Sequence, residues 1–79
     1  MTTHNVVVYS ASWCPWCQKA KEFLTRNKVK FTEKDVDANP EYVAELQKKS
    51  KQTGIPVIEI DGNIIIGYDE ATMRKLLGL

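Results

Sequence analysis

A short apolar run that leads into an amphipathic helix most restricts what this chain can fold into. Residues 5–10 are rich in β-branched side chains and predict a buried strand. Pro15 is typical of a first helical turn, and apolar side chains then recur at helical spacing from Cys17 to Leu24, with charged residues between them. The sequence therefore predicts a helix over residues 15–27, close behind the first strand.

The rest of the chain predicts a strand, a helix, a hairpin and a final helix. Asn39 and Pro40 are typical of a helix start. Asp61 and Gly62 predict a tight turn between two strands, and Asp69 is placed to cap the last helix. The predicted elements are a half-exposed strand over residues 29–36, a helix over 40–49, strands over 55–60 and 63–66, and a helix over 70–77. The order βαβαββα begins with a parallel β-α-β unit and ends with a hairpin and a helix.

Length and composition exclude several classes of protein. The 79 residues leave room for one domain, over residues 1–79, and 43% hydrophobic with 27% charged residues is ordinary for a globular chain. The longest apolar run, residues 64–66, is far shorter than the ~20 residues of a membrane helix. A net charge of +1 gives no electrostatic footprint of a nucleic-acid binder. The first five residues do not resemble a secretory signal, so we expect a cytoplasmic location.

The two cysteines, Cys14 and Cys17, carry most of the chemical information. A disulfide scaffold would need more cysteines, and a structural zinc site needs four ligands. The chain's single histidine, His4, lies far from the pair and is interpreted as a surface residue near the terminus, so no metal ligands are assigned. A redox pair, a metal site shared between two chains and plain packing remain open. The position of the pair between a strand and a helix favours the redox pair.

The start of a helix makes the two cysteines chemically different. Free N–H groups and a partial positive charge there favour the thiolate form of Cys14, which is therefore expected to attack. Cys17, one turn inside the helix, is expected to be more buried and to act as the resolving thiol. Pro15 stiffens the ring between them. Trp13 and Trp16 flank the pair with flat apolar surface that shields it or docks a partner.

Three segments give the chain a resemblance to the glutaredoxins, within the thioredoxin-fold superfamily. They are Cys14-Pro15-Trp16-Cys17, Ile55-Pro56-Val57 and Gly67-Tyr68-Asp69-Glu70, where the family pattern has Cys-Pro-Tyr-Cys, Thr-Val-Pro and Gly-Gly-x-Asp-Asp. The resemblance covers nearly the whole chain. It implies a thioredoxin-like α/β fold with a central four-stranded mixed sheet flanked by three helices. It also implies a monomeric thiol–disulfide oxidoreductase with no bound cofactor, which uses glutathione as co-substrate and acts on protein disulfides or glutathionylated cysteines.

The resemblance also assigns roles to residues outside the cysteine pair. It implies that Pro56 is cis and faces the cysteines, and that Ile55 offers its backbone to an extended substrate peptide. Tyr68 and Asp69 match the segment that binds the glutamyl end of glutathione. Gln52 matches a glutamine that is frequent in the family.

A departure at Ala11 weakens the match at the glycine end of glutathione. Ala11 stands where glutaredoxins usually carry a lysine that contacts the glycine carboxylate, and Lys51 is the nearby candidate to replace it. Trp13 before the first cysteine is similar to thioredoxin instead. Two alternatives therefore stay open. One is a glutaredoxin-shaped redoxin recharged by thioredoxin reductase, which donates electrons to an enzyme such as ribonucleotide reductase. The other is a module in which two copies hold a metal or iron–sulfur cluster through Cys14, against which Pro15 counts.

Overall fold

The computed structural model describes residues 4–52 and 54–79 and contains the predicted elements in the predicted order. Residues 1–3, on which the expectation about a secretory signal partly rests, lie outside the described residues. The strands are β1 (Val6–Ser10), β2 (Thr32–Asp35), β3 (Val57–Ile60) and β4 (Asn63–Ile66), and the helices are α1 (Pro15–Arg26), α2 (Pro40–Ser50) and α3 (Glu70–Leu77). None of the three described helices is long and apolar enough to span a membrane.

The four strands form one mixed sheet in the order β2-β1-β3-β4. Strand β1 pairs in parallel with β2, in the register Val7 to Thr32, and antiparallel with β3, in the register Val8 to Ile58. Strands β3 and β4 form the antiparallel hairpin. The predicted α/β class and mixed sheet are confirmed.

Alternation along the strands divides the apolar side chains between the two faces of the sheet. One face packs against α1 and α3, through Val6, Val8, Ala20, Phe23, Leu24, Ile58, Ile60, Ile65, Met73 and Leu77. The other face packs against α2 and is centred on Tyr9, Leu46 and Val57. Helices α1 and α3 therefore share one layer, and α2 alone forms the other.

Two strands begin two or three residues later than their apolar patterns predict. Strand β2 begins at Thr32 and not at residue 29, because the N–H of Val29 donates to the carbonyl of Leu24, 2.8 Å away, and closes the end of α1. Strand β3 begins at Val57 and not at residue 55, because Pro56 has no N–H to give to the sheet. Helix α2 extends one residue further than predicted, to Ser50. Lys51 follows it as the C-cap, with a left-handed φ of 61°.

His4 is half-buried and contacts the hairpin turn. Its Nδ1 lies 2.6 Å from Oδ2 of Asp61. The N–H of Asn5 donates to the other carboxylate oxygen of Asp61 at 2.8 Å, and the N–H of Asp61 donates back to the carbonyl of Asn5 at 2.8 Å. The hairpin turn thus binds the segment before β1. The sequence gives no sign of this contact because the two residues are far apart along the chain.

Candidate active site at the start of the first helix

Cys14 occupies the N-cap of α1, where its backbone is extended at φ −94° and ψ 110°. Its Sγ accepts a hydrogen bond from the N–H of Cys17 at 3.2 Å, so a free N–H of the first helical turn is directed at the sulfur. The N–H of Cys14 donates to the carbonyl of Ala11, also at 3.2 Å. Both cysteines are free thiols. The N–H of Cys17 that is directed at the Cys14 sulfur is one of the free N–H groups that the sequence predicts at this helix start.

Cys17 lies one turn further into the helix and has no exposed surface. Burial and, to a smaller extent, a hydrogen bond with the Cys14 side chain together raise the pKa of its thiol to about 12. The backbone of Ala11 and the charge of Lys21 oppose this rise without cancelling it. Cys17 therefore stays protonated at neutral pH. The expectation that it is the more buried thiol is confirmed, although Cys14 is only 4% exposed.

The two tryptophans next to the cysteines in the chain are exposed, Trp13 by 67% and Trp16 by 56%. Trp16 lies against Tyr68, with ring centroids 6.2 Å apart and planes inclined at 26°. The edge of Tyr68 in turn packs against Phe23 in the core, at 6.4 Å. Trp16 thus packs on Tyr68, and Tyr68 connects it to Phe23 in the core. No aromatic ring contact of this kind involves Trp13 in the described part of the chain.

An ion pair on α3 holds the Tyr68 ring in place. Its hydroxyl donates to Oε1 of Glu70 at 2.9 Å, and Oε2 of Glu70 accepts from Nε of Arg74 at 3.1 Å. Burial raises the pKa of Tyr68 above its usual range, so the phenol remains a hydrogen-bond donor. The Tyr68 side chain is therefore contacted at its hydroxyl by Glu70 and at its ring by Trp16 and Phe23.

A cavity of about 260 Å³ lies next to Trp16, the residue between the two cysteines in the chain, and joins the three segments of the resemblance. It is lined by Trp16, Ile55, Pro56, Gly67 and Tyr68. The Ile55–Pro56 bond is cis, as the resemblance implies. Gly67 has φ of 82°, a conformation that favours glycine, and its N–H donates to the carbonyl of Pro56 at 2.8 Å. The cavity therefore lies where the start of α1, the segment before β3 and the connection from β4 to α3 meet.

The polar residues assigned to glutathione by resemblance make other contacts in this structure. The side-chain amide of Gln52 braces its own loop, with Nε2 donating to the carbonyl of Gly54 at 3.0 Å and Oε1 accepting from its N–H at 2.6 Å. Lys51 ends helix α2. The carboxylate of Asp69 caps α3 by accepting from the N–H and the hydroxyl of Thr72, which lowers its pKa. Of the predicted glutathione contacts, the structure brings Ile55 and Tyr68 into the cavity.

Behind the cysteines lies a polar cluster that the sequence did not reveal. Ser10, a fully buried residue, donates to Oε2 of Glu33 at 2.8 Å. Nζ of Lys21, one helical turn after Cys17, donates to the same oxygen at 2.7 Å. These contacts lower the pKa of Glu33. A serine at the end of an otherwise apolar strand is the one signal that pointed here. Within residues 4–52 and 54–79, no group of three or more side chains is arranged to hold a metal ion.

Comparisons with known proteins agree with the fold. The family model named Glutaredoxin matches residues 6–65. An uncharacterized glutaredoxin-like 8.6 kDa protein in the rubredoxin operon of Clostridium pasteurianum is 42% identical over 72 residues, which are 91% of this chain and 96% of that protein. Glutaredoxin 3 of Escherichia coli (strain K12) is 38% identical over 66 residues, 84% of this chain and 80% of that protein. The crystal structure of a glutaredoxin from Archaeoglobus fulgidus superposes with a TM-score of 0.86 at 26% identity, covering 92% of this chain and 85% of that one.

Proposed function

Because this chain belongs to the glutaredoxin family, we propose that it is a dithiol oxidoreductase that reduces protein disulfides or glutathionylated cysteines through Cys14 and Cys17. Membership of the family gives a redox function in general. The observation that carries the proposal is the asymmetry of the pair. Cys14 receives an N–H at the helix start, whereas burial keeps Cys17 protonated.

The two thiols act in sequence in this mechanism. The Cys14 thiolate attacks one sulfur of the substrate disulfide, a bond forms between the two sulfurs, and the other substrate sulfur leaves as a thiolate that takes up a proton. Cys17 then loses its proton and attacks Sγ of Cys14, which releases the second substrate thiol and leaves a Cys14–Cys17 disulfide. Two electrons pass to the substrate. Two molecules of glutathione restore the dithiol and are oxidised to glutathione disulfide.

Glutathione is proposed as a weakly bound co-substrate. Tyr68 lines the cavity next to Trp16, and the N-terminus of α3 lies next to it, where a carboxylate is favoured. Ala11 has no exposed surface and supplies no charge, and Gln52 is bonded within its loop. A missing charge-assisted contact corresponds to ~1.5–3 kcal/mol before solvent exposure reduces it. We therefore expect roughly tenfold weaker use of glutathione than in a site with the lysine.

Single-cysteine variants test the proposed roles. With a small mixed disulfide of glutathione as substrate, and glutathione and glutathione reductase for recycling, Cys14→Ser is expected to abolish turnover. Cys17→Ser is expected to retain part of it, because glutathione itself can resolve the mixed disulfide on Cys14. Full activity of Cys14→Ser, or equal loss in both variants, would contradict the assignment.

A redoxin recharged by thioredoxin reductase is the second candidate. It is favoured by Ala11, which is buried where the family usually carries a lysine, and by Gln52, whose side chain is bonded within its own loop. Neither side chain is therefore available to the glycine end of glutathione. Two coupled assays with the same protein disulfide separate the candidates, one recycled by glutathione and one by thioredoxin reductase. The faster system identifies the reductant.

A cluster-binding module is the third candidate. It would show visible absorption in protein purified without air, with a mass of two chains. A colourless monomer that turns over disulfides would exclude it.

A further inference from the structure

A lysine lies on the same face of α1 as the buried thiol. Lys21 follows Cys17 by four residues, and side chains at this spacing are neighbours on the surface of a helix. Only 17% of the lysine side chain is exposed, and an ammonium group that leaves water loses hydration energy unless it finds a partner. A mostly buried positive charge therefore lies one helical turn from the resolving thiol.

Two residues of the sheet hold this ammonium group. Glu33 pairs with Val8 in the parallel register of β1 and β2, and Ser10 follows Val8 by two residues, on the same face of the sheet. Oε2 of Glu33 accepts from the Ser10 hydroxyl at 2.8 Å and from Nζ of Lys21 at 2.7 Å. Glu33 is 41% exposed, so water screens its charge more than it screens the charge of Lys21. The positive charge is thus held in place without being cancelled.

The charge of Lys21 acts on Cys17. Burial and the neighbouring Cys14 raise the pKa of the Cys17 thiol, and the charge of Lys21 opposes this rise. Cys14 and Lys21 are the charged groups that act on the thiol in the described part of the chain, and Glu33 enters through its bond to Lys21. Apart from Ser10 and the cysteines, the buried side chains described on this face of the sheet are apolar.

Formation of the mixed disulfide on Cys14 changes this balance. The Cys14 sulfur then carries no charge, so its repulsion of a Cys17 thiolate disappears, whereas the charge of Lys21 remains. The positive charge is therefore least opposed when Cys17 must lose its proton. That proton passes to solvent, the Cys17 thiolate forms a bond to Sγ of Cys14, and the substrate sulfur leaves as a thiolate that takes up a proton.

Resting on the proposed function, we propose that Lys21 is a positioning residue for this second thiol transfer. Its ammonium group, held by Glu33, stabilises the thiolate of Cys17 as that sulfur attacks Cys14. The Ser10–Glu33–Lys21 cluster thereby serves the resolving step and not the first attack on substrate.

An uncharged dipyridyl disulfide separates the two steps. With reduced protein in excess, the attack of Cys14 releases one thiopyridone, and the attack of Cys17 on the mixed disulfide releases the second at a rate independent of protein concentration. Stopped-flow absorbance follows both releases. At neutral pH, we expect Lys21→Met to slow the second release about threefold relative to the first, because a roughly tenfold smaller thiolate population is partly offset by the higher nucleophilicity of a more basic thiolate.

Two further readouts distinguish this role from a structural one. Lys21→Arg keeps the positive charge and is expected to keep a second release close to that of the wild type. In Lys21→Met, the pH profile of the second release is expected to move to higher pH, which a loss of stability alone does not produce. A second release in Lys21→Met that matches the wild type, or one slowed equally in Lys21→Arg, would overturn the inference.

Lys34→Met is the matched control. The Lys34 side chain is 24% exposed and bonds Glu45 at 2.7 Å, but it lies over the Tyr9 ring on the opposite face of the sheet. Both releases are expected to stay unchanged in this variant, and an equal slowing of its second release would contradict the inference. If the wild type, like Cys17→Ser, shows no concentration-independent second release, the proposed dithiol function itself is refuted.

Discussion

At the scale of single residues, the two cysteines show how strongly three positions along a helix change a thiol. Cys14 at the N-cap accepts an N–H, and Cys17 one turn later is buried among apolar side chains. The sequence predicts this difference because Pro15 and the apolar spacing that follows it indicate where the helix starts. It does not predict which polar side chains are free to bind a ligand. Gln52 and Asp69 are both engaged by neighbours two or three residues away, and such local bonds depend on loop conformation.

An alkaline titration of the reduced protein tests the environment of Cys17. Its pKa of about 12 in the fold exceeds the ordinary value of 9.0, so the stability that the neutral thiol contributes is complete below about pH 9 and is lost as the pH rises toward 12. From about pH 9 to 10, we expect the free energy of unfolding to fall by about 1 kcal/mol more in the wild type than in Cys17→Ser. Urea unfolding under a reducing agent measures this. Parallel profiles would contradict a buried neutral thiol.

At the scale of single elements, helix α2 buries fewer of its described side chains than the other two helices. Leu46 is its one fully buried side chain among those described. A polar network adds to it. The Tyr9 hydroxyl donates to Glu45 at 3.0 Å, and Lys34 donates to the same carboxylate at 2.7 Å. Lys49 lies over the Tyr9 ring and bonds Glu59. The sequence predicts α2 from its caps, but not this network, because four elements contribute to it.

Removing one hydroxyl measures what the network adds. Tyr9→Phe keeps the buried ring and deletes the bond to Glu45, which remains paired with Lys34. We expect the free energy of unfolding to decrease by about 1 kcal/mol. Tyr42→Phe on α2 is the control and should change it less, because Tyr42 lies half-exposed. An unchanged value for Tyr9→Phe would show that water satisfies Glu45 equally well.

Two variants of Asp69, the residue that caps α3, distinguish a structural role of its side chain from a role in binding glutathione. Asp69→Ala removes both bonds to Thr72 and is expected to cost about 1 kcal/mol of stability, whereas Asp69→Asn keeps most of it. If the carboxylate also binds the glutamyl amine of glutathione, both variants lose glutathione-dependent turnover. Chemical unfolding and the coupled assay are measured on the same preparations. Retained turnover in Asp69→Asn would assign the residue to the cap alone.

At the scale of the whole molecule, a chain of 79 residues is stabilised by only ~4–12 kcal/mol. Leu46→Ala is therefore expected to remove a large share, about 2–5 kcal/mol, and to lower the urea midpoint strongly. Ile66→Ala is the control, because its side chain is 57% exposed and its loss should stay within about 0.5 kcal/mol. Similar midpoints in the two variants would contradict the assignment of Leu46 to the core.

Acid should weaken the whole fold through several carboxyl groups together. Hydrogen bonds and neighbouring cations lower the pKa of Glu33, Glu45, Asp61, Asp69 and Glu70. A lowered pKa contributes stability above the ordinary value of the group, and this stability is lost as the pH falls through the lowered value. The urea midpoint is expected to decline below about pH 4.5 and to be flat from there to neutrality. A midpoint that rises on acidification would contradict these pairings.

The chain order of the strands has a consequence for biosynthesis. Strand β1, the first of the four to leave the ribosome, lies inside the sheet between β2 and β3. One neighbour, β2, ends at Asp35, whereas the other, β3, ends at Ile60, so during translation one edge of β1 waits for its partner until residue 60 has been made. The central pairing of the sheet is therefore completed late. A translational pause before residue 57 would leave one edge of this β-branched strand unpaired and exposed to nascent-chain chaperones.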